Sequence, residues 1–312
     1  MIRLGTRGSP LALAQAEAVA APLRAAGVPV TIVPIRTEGD RLADARLDLA
    51  GGKGLFVREI EEWLLRGAID AAVHSLKDLP AQLPDGLCLT VFPEREAAHD
   101  VLVTRDGGDL ADLPRAAVLG TSSPRRRAVA LAVRDDLVVE PLRGNVDTRL
   151  RKLAAGECDA TILAAAGLHR LHLTPAHARP LALDVFVPAV GQGILAVEAR
   201  ADDQPTRDAL AALDHPATRR SALAERAFLQ RLGGSCTTPL AAHARVVGGA
   251  DTAAPVSPLR MDAMVASEDG RQILRASDTA TAEEPEALGR RMADILLARG
   301  AASVTALSPG GR

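Results

Sequence analysis

Aromatic residues are almost missing from this chain: there is no tyrosine, one tryptophan (Trp63) and four phenylalanines among 312 residues. Base stacking on exposed aromatic platforms is therefore excluded as a main mode of nucleic-acid binding. No basic excess replaces it, since the formal net charge is −2, so a global field for polyanions is lacking. Cysteine is scarce, with three residues at irregular spacing. That argues against a disulfide framework and for a reducing compartment. No run of about 18 uncharged apolar residues exists, so no transmembrane helix is expected. The N-terminus, Met1-Ile2-Arg3-Leu4-Gly5-Thr6-Arg7, lacks the order of charge, apolar run and cleavage site that marks a secretory leader. A soluble, cytoplasmic protein is expected.

What is present is an aliphatic chain, 47% apolar, whose core must be built from Ala, Leu and Val. Its length allows two or three domains. Ile2–Gly5 reads as a strand, and Ser9-Pro10 as N-cap and first helical residue. An alanine-rich helix follows over Leu11–Ala26, stopped by Gly27. Val30–Ile35 and Ile69–Val73 read as strands, with an amphipathic helix over Phe56–Arg66 between them. This β-α-β alternation predicts helices packed on a sheet. The pattern recurs: Gly5-Thr6-Arg7-Gly8-Ser9-Pro10 is echoed by Gly120-Thr121-Ser122-Ser123-Pro124, and Gly67–Ala71 by Gly156–Ala160. Two ordinary βα units and an internal duplication both account for these short matches. Val91–Ala98 and Val187–Ile194 read as crossing segments, and Leu195–Arg200 as a returning strand. The chain is thus expected to divide into a discontinuous first α/β domain, 1–93 plus 194–214, a second at 98–188, and a C-terminal α+β domain at 216–312.

The chemistry-bearing residues lie at turns. Cys236 sits in Leu232-Gly233-Gly234-Ser235-Cys236-Thr237-Thr238-Pro239, where glycine lets a ligand approach closely. Cys88 and Cys158 lead into apolar runs and read as small buried hydrophobes. A linker loop with an incidental cysteine is the alternative for Cys236. Ser9 and Ser123 cap helices whose free N–H groups favour anions. Arg7 lies in the first of those turns, and Arg125, Arg126 and Arg127 occupy the first turn of the second helix. Three cations there oppose the helix dipole, a cost that a bound anion would offset; for Arg127, solvated surface suffices. From Thr121 to Lys152 there are seven Arg and one Lys against four acids. Arg143 and Arg149 bracket Gly144-Asn145 and enter the same edge. An arginine fork matches a carboxylate or a phosphate. Val73-His74-Ser75-Leu76-Lys77-Asp78-Leu79-Pro80 ends a buried strand, where α/β folds bind ligands. Asp78 could act as acid or base, could stabilise positive charge, or could be half of a surface ion pair. Gly51-Gly52-Lys53-Gly54 is not a Walker loop and suggests a mobile flap. His169, His172 and His177 lack the spacing and partners of a metal site, so no metal is expected.

Taken in order, Gly5–Ala12, Gly51–Phe56, Val73–Pro80, Thr121-Ser122-Ser123 with Arg125-Arg126, Leu142–Val146 with Thr148–Leu150, Gly191-Gln192-Gly193 and Cys236–Pro239 closely resemble the porphobilinogen deaminase family. The likeness spans nearly the whole chain. It implies two α/β domains like those of periplasmic binding proteins, with a cleft between them, and a third domain bearing the Cys236 loop. It implies a dipyrromethane cofactor joined to Cys236 by a thioether. Four porphobilinogen units would be added head to tail, each losing ammonia, and water would release hydroxymethylbilane. Arg7, Arg125, Arg126, Arg143, Arg149 and Arg170 would clamp the carboxylates. Ser9, Ser75, Lys77, Thr121, Ser122 and Ser123 would add donors. Asp78 would bond pyrrole N–H groups and stabilise the cationic azafulvene. Gln192 would belong to the hinge and line the cleft, and Lys53 and Phe56 would belong to the flap. A monomer is implied, with porphobilinogen as partner and neither nucleic acid nor membrane. The chain departs from the family pattern at Ser235, where glycine usually precedes the cysteine, at Pro124, and at His243, where an aromatic is common. A non-enzymatic binding module for a carboxylate or phosphate solute is the alternative; the Cys236 domain speaks against it.

Overall fold

The computed structural model describes residues 1–35, 57–234, 237–247, 257–280 and 284–307. Lys53, Phe56, Ser235 and Cys236 lie outside the described residues. In chain order the elements are β1 (Ile2–Arg7), α1 (Pro10–Ala25), β2 (Val30–Ile35), α2 (Arg58–Leu65), β3 (Ala71–Ser75), a 3₁₀ turn (Leu76–Asp78), β4 (Leu87–Val91) and β5 (Asp100–Thr104). There follow β6 (Val118–Gly120), α3 (Pro124–Val133), β7 (Val138–Glu140), α4 (Val146–Ala154), β8 (Ala160–Ala164), α5 (Ala165–Arg170), β9 (Ala178–Pro180), β10 (Leu195–Arg200) and α6 (Gln204–Leu210). The C-terminal region adds α7 (Pro216–Leu232), β11 (Leu240–Val246), β12 (Leu259–Ala266), β13 (Ile273–Ala280), α8 (Pro285–Ala298) and α9 (Ala301–Val304). Two compact units result: Met1–Arg95 with Ile194–Arg219, and Glu96–Gly193 with Arg220–Arg312.

The first unit holds a five-stranded sheet of order β2-β1-β3-β10-β4. β1 is parallel to β2 and β3, whereas β10 runs antiparallel to β3 and β4. The side chains that bury α1 are small: Ala16, Val19, Ala20 and Leu23 pack against Leu4, Val73, Leu195 and Val197. On the other face Ile60 and Leu64 of α2 meet Ile69 and Ala72. The aliphatic composition thus reappears as an Ala, Val and Leu core. Cys88 differs from its sequence reading: it is half-buried rather than buried, because β4 is an edge strand.

The second unit repeats the plan. Its sheet runs β7-β6-β8-β5-β9, with β6 parallel to β7 and β8, and β5 antiparallel to β8 and β9. Strands β6, β7 and β8 correspond to β1, β2 and β3, and β5 takes the place of β10. This is the arrangement expected of two periplasmic-binding-protein-like α/β bodies, each with one antiparallel strand in the fourth position. The remaining residues of this unit form an antiparallel β11-β12-β13 sheet. Phe228 of α7 and Leu288, Met292 and Leu296 of α8 pack on it.

One boundary matters for the site. β3 begins at Ala71 rather than at Ile69, because the Ala68 and Ile69 N–H groups donate to the Trp63 carbonyl at the end of α2 (2.9 and 3.3 Å). At its other end the strand pairs with β10 as far as Ser75, opposite Leu195, and delivers Leu76–Asp78 as a 3₁₀ turn.

Candidate functional site

In the first unit, β1 and β3 are parallel neighbours, so both end at the same edge of the sheet. Arg7 is the last residue of β1. Ser9 then caps α1: its Oγ accepts from the Ala12 N–H at 3.3 Å, and Pro10 opens the helix. Gln15, buried on α1, donates to Ser75 Oγ at 2.9 Å and so ties the helix to the end of β3. The 3₁₀ turn follows with Lys77 half-buried and Asp78 exposed. The edge thus gathers a guanidinium, an ammonium, two hydroxyls, a helix N-terminus and one carboxylate.

Beneath this turn lies a buried acid–imidazole cluster that sequence reasoning missed. His74 of β3 faces Glu198 of β10, with Nε2 and Oε2 2.9 Å apart. Glu61 of α2 is also buried. Burial and the Glu198 charge push the Glu61 carboxyl up to about 7, His74 offsetting part of the rise.

In the second unit the equivalent edge is built by β6. Thr121 is buried and its N–H donates to the Glu140 carbonyl (2.8 Å). Thr121 Oγ1 accepts from the Ser123 N–H at 3.2 Å. Ser122 Oγ donates to the Leu142 carbonyl (3.2 Å), joining this turn to the one that carries Arg143. Ser123 caps α3 with Pro124 as its first residue, the position that suits proline. Asn145 caps α4 by accepting from the Thr148 N–H, and Arg149 Nε donates to the Gly144 carbonyl (2.9 Å). Arg170 donates to the Gly193 carbonyl at 2.7 Å. Burial pulls its pKa down and the nearby Glu96 opposes this.

Arg125 and Arg126 differ from the surface fork that the sequence suggests. They are 4% and 5% exposed and close on Asp100, a residue sequence reasoning passed over. Asp100 Oδ2 lies 2.7 Å from Arg125 Nη1, and Oδ1 lies 2.8 Å from Arg126 Nη2. Burial opposes ionisation of Asp100, but the two guanidinium charges outweigh it and hold the carboxyl well below the usual range. One anion of the kind that the helix-dipole argument calls for is therefore supplied from within the chain and shared by two of the three arginines. Arg127 remains exposed. Gln192 donates from Nε2 to Asp100 Oδ1 (2.9 Å) and to the Ala98 carbonyl (2.7 Å). The Glu96 N–H donates to the Gly193 carbonyl (3.1 Å). Gly193 has φ +85°, and a Cβ there would lie 2.3 Å from the Glu96 carbonyl oxygen. The crossing segments are thus held side by side at a position where only glycine fits.

These features define an α/β protein with two topologically equivalent sheets, each ending in an edge rich in hydrogen-bond donors. Residues 2–208 match the family model described as "Porphobilinogen deaminase, dipyromethane cofactor binding domain", and residues 220–298 match "Porphobilinogen deaminase, C-terminal domain". The chain is 47% identical over 307 residues to the porphobilinogen deaminase of Syntrophotalea carbinolica, covering 98% of this chain and 95% of that protein. It is 48% identical over 303 residues to that of Geobacillus kaustophilus, covering 96% and 95%. A nutrient-binding protein from Burkholderia cenocepacia bound to methionine is a distant match in structure, at 16% identity and TM-score 0.43, covering 67% of this chain and 90% of that one. The chain belongs to the porphobilinogen deaminase family, transferases of tetrapyrrole synthesis with a dipyrromethane cofactor. No helix among the described residues is long and apolar enough to cross a membrane.

Proposed function

We propose that this chain joins four porphobilinogen molecules head to tail, with loss of ammonia from each, onto a dipyrromethane primer held as a thioether by Cys236, and that it releases hydroxymethylbilane by hydrolysis. The observation that carries this reading is the setting of Asp78. It is one exposed carboxylate on a turn that otherwise presents donors: Lys77, Ser75, Arg7 and the capped end of α1. Donors of that kind suit the acetate and propionate groups of porphobilinogen and of its growing chain. The lone acid suits the positive charge that develops on a pyrrole as ammonia leaves.

The cofactor's carboxylates fit the donor set of the second unit. Arg125 and Arg126 share a single buried acid, and Arg125 Nε is buried with no hydrogen-bond partner among the described residues. When bound, dipyrromethane supplies the pyrrole carbon from which the product is extended. Arg125, Arg126, Arg143, Arg149 and Arg170 hold carboxylates, with Thr121, Ser122, Ser123 and Gln192 as further donors. Arg7, Ser9, Ser75 and Lys77 do the same in the first unit. Asp78 accepts pyrrole N–H groups and stabilises the cation that remains once ammonia departs. Lys53 and Phe56 belong to a flap. On the same reading the domains are 1–93 with 194–214, 98–188, and 216–312, and the protein works as a cytoplasmic monomer on a free small molecule.

Intact mass beside steady-state turnover tests the reading. The purified protein should exceed its sequence mass by two porphobilinogen units less two ammonia, and the Cys236→Ala variant should not. Asp78→Ala should keep its fold and lose turnover by about 10²–10³-fold or more. An unmodified mass after incubation with porphobilinogen overturns the attachment; normal turnover by Asp78→Ala overturns its role.

A further inference from the structure

We propose that Asp100 is the positioning residue of the carboxylate-binding arginines. From the start of β5 it braces Arg125 and Arg126, and it leaves the cluster one negative charge short of neutrality, for an anionic ligand to complete. The inference rests on the reading above that these two arginines bind carboxylates.

Asp100 is fully buried, and its oxygens are divided between the two guanidiniums. Oδ1 accepts from Arg126 Nη2 at 2.8 Å and from Nε at 3.2 Å, while Oδ2 lies 2.7 Å from Arg125 Nη1. Each fork is also fixed by a backbone carbonyl: Arg125 Nη1 donates to Val187 (2.9 Å) and Arg126 Nη1 to Ile162 (2.8 Å). Gln192 donates to the same Oδ1 (2.9 Å), so the Gly191–Gly193 turn is referenced to the same carboxylate. Planar forks held at several points are pre-organised for bidentate binding, which lowers the ordering cost of taking up a ligand.

The charge count separates this arrangement from a brace that serves folding alone. Two guanidiniums and one carboxylate leave a net charge of +1. No other acid is paired with either arginine among the described residues. Burying an uncompensated ion costs several kcal/mol, and a fold that needed only a brace would match one acid to one base. Arg125 Nε, buried and unpartnered, is the atom at which the pair remains incomplete.

The test compares Asp100→Asn, Arg126→Leu and the wild-type holoenzyme by thermal unfolding, by the intact-mass fraction carrying primer as purified, and by kcat and KM for porphobilinogen. Asp100→Asn keeps the shape, removes the charge and turns a donor towards one arginine. It is expected to fold, to carry less primer, and to raise KM about tenfold with kcat per primed molecule within about threefold, because contacts made equally in ground and transition states act on KM. A lowered melting temperature with wild-type loading and KM overturns the proposal and leaves Asp100 a folding brace. If Arg126→Leu also shows wild-type loading and KM, the reading that the arginines bind carboxylates fails as well. If Arg126→Leu is impaired and Asp100→Asn is not, only the Asp100 proposal fails. Should Asp100→Asn not fold, Asp100→Glu keeps the charge and displaces it by one methylene. Its KM should then rise at least about threefold, and an unchanged KM overturns the proposal.

Discussion

Glu61 makes the stability of the first unit depend on pH. Burial, and then the charge of Glu198, raise its carboxyl from the ordinary 4.5 to about 7 in the folded state. A carboxyl with a raised folded pKa contributes stability that is fully present below its unfolded value and is lost as pH rises through the folded one. The wild-type melting temperature should therefore fall between about pH 4.5 and 7 for this group's part. Glu61→Gln, uncharged throughout, should flatten that slope and be the more stable protein at pH 8. Parallel melting-temperature profiles of the two proteins would refute the assignment. Residues of this kind are hard to read from sequence. Glu61 shares its amphipathic helix with Glu59 and Glu62, and nothing local distinguishes the buried acid from the solvated ones. Asp100 did leave a trace, since it opens the otherwise apolar Asp100-Val101-Leu102-Val103-Thr104. Which arginines would close on it could not be read, because they lie 25 and 26 positions away. Ser9, Ser123 and Pro124 were legible as helix starts because capping is a local bargain between neighbouring residues.

At the scale of elements, β2 and β10 fall where glycine, proline and apolar runs place them, whereas β3 is shifted by two residues. The shift comes from the local cap of α2, in which the Ala68 and Ile69 N–H groups bond back to Trp63 and keep these two apolar residues out of the strand. A contact that no window of sequence contains is the crossing of α8 over α7. A Cβ at Gly289 would lie 2.1 Å from the Ala224 carbonyl oxygen and 2.9 Å from the Phe228 nitrogen. In an isolated helix Gly→Ala gains about 1 kcal/mol. Here the helices would have to part, and overpacking of this type costs about 1–3 kcal/mol. Gly289→Ala should thus lower the melting temperature, and a rise would show that the crossing yields more easily than its geometry implies.

Across the whole molecule, the two sheets share one strand order but draw their fourth strand from opposite ends of the connection: β5 opens the second sheet, and β10 comes last in the first. Residues 1–95 alone lack the strand that separates β3 from β4, and should show no cooperative unfolding transition. The crossing segments lie side by side, with the Glu96 N–H on the Gly193 carbonyl, so a short Gly/Ser linker from 95 to 194 should restore one. A cooperative melt of 1–95 by itself would contradict this account. The same topology sets an order on synthesis. All five strands of the second sheet have left the ribosome once β9 has, while the first sheet waits for β10, about a hundred residues after β4. At about 5–20 residues per second that wait is roughly 5–20 s. The N-terminal sheet is therefore the later of the two to close, and for that interval its β3 and β4 edges are open to other chains.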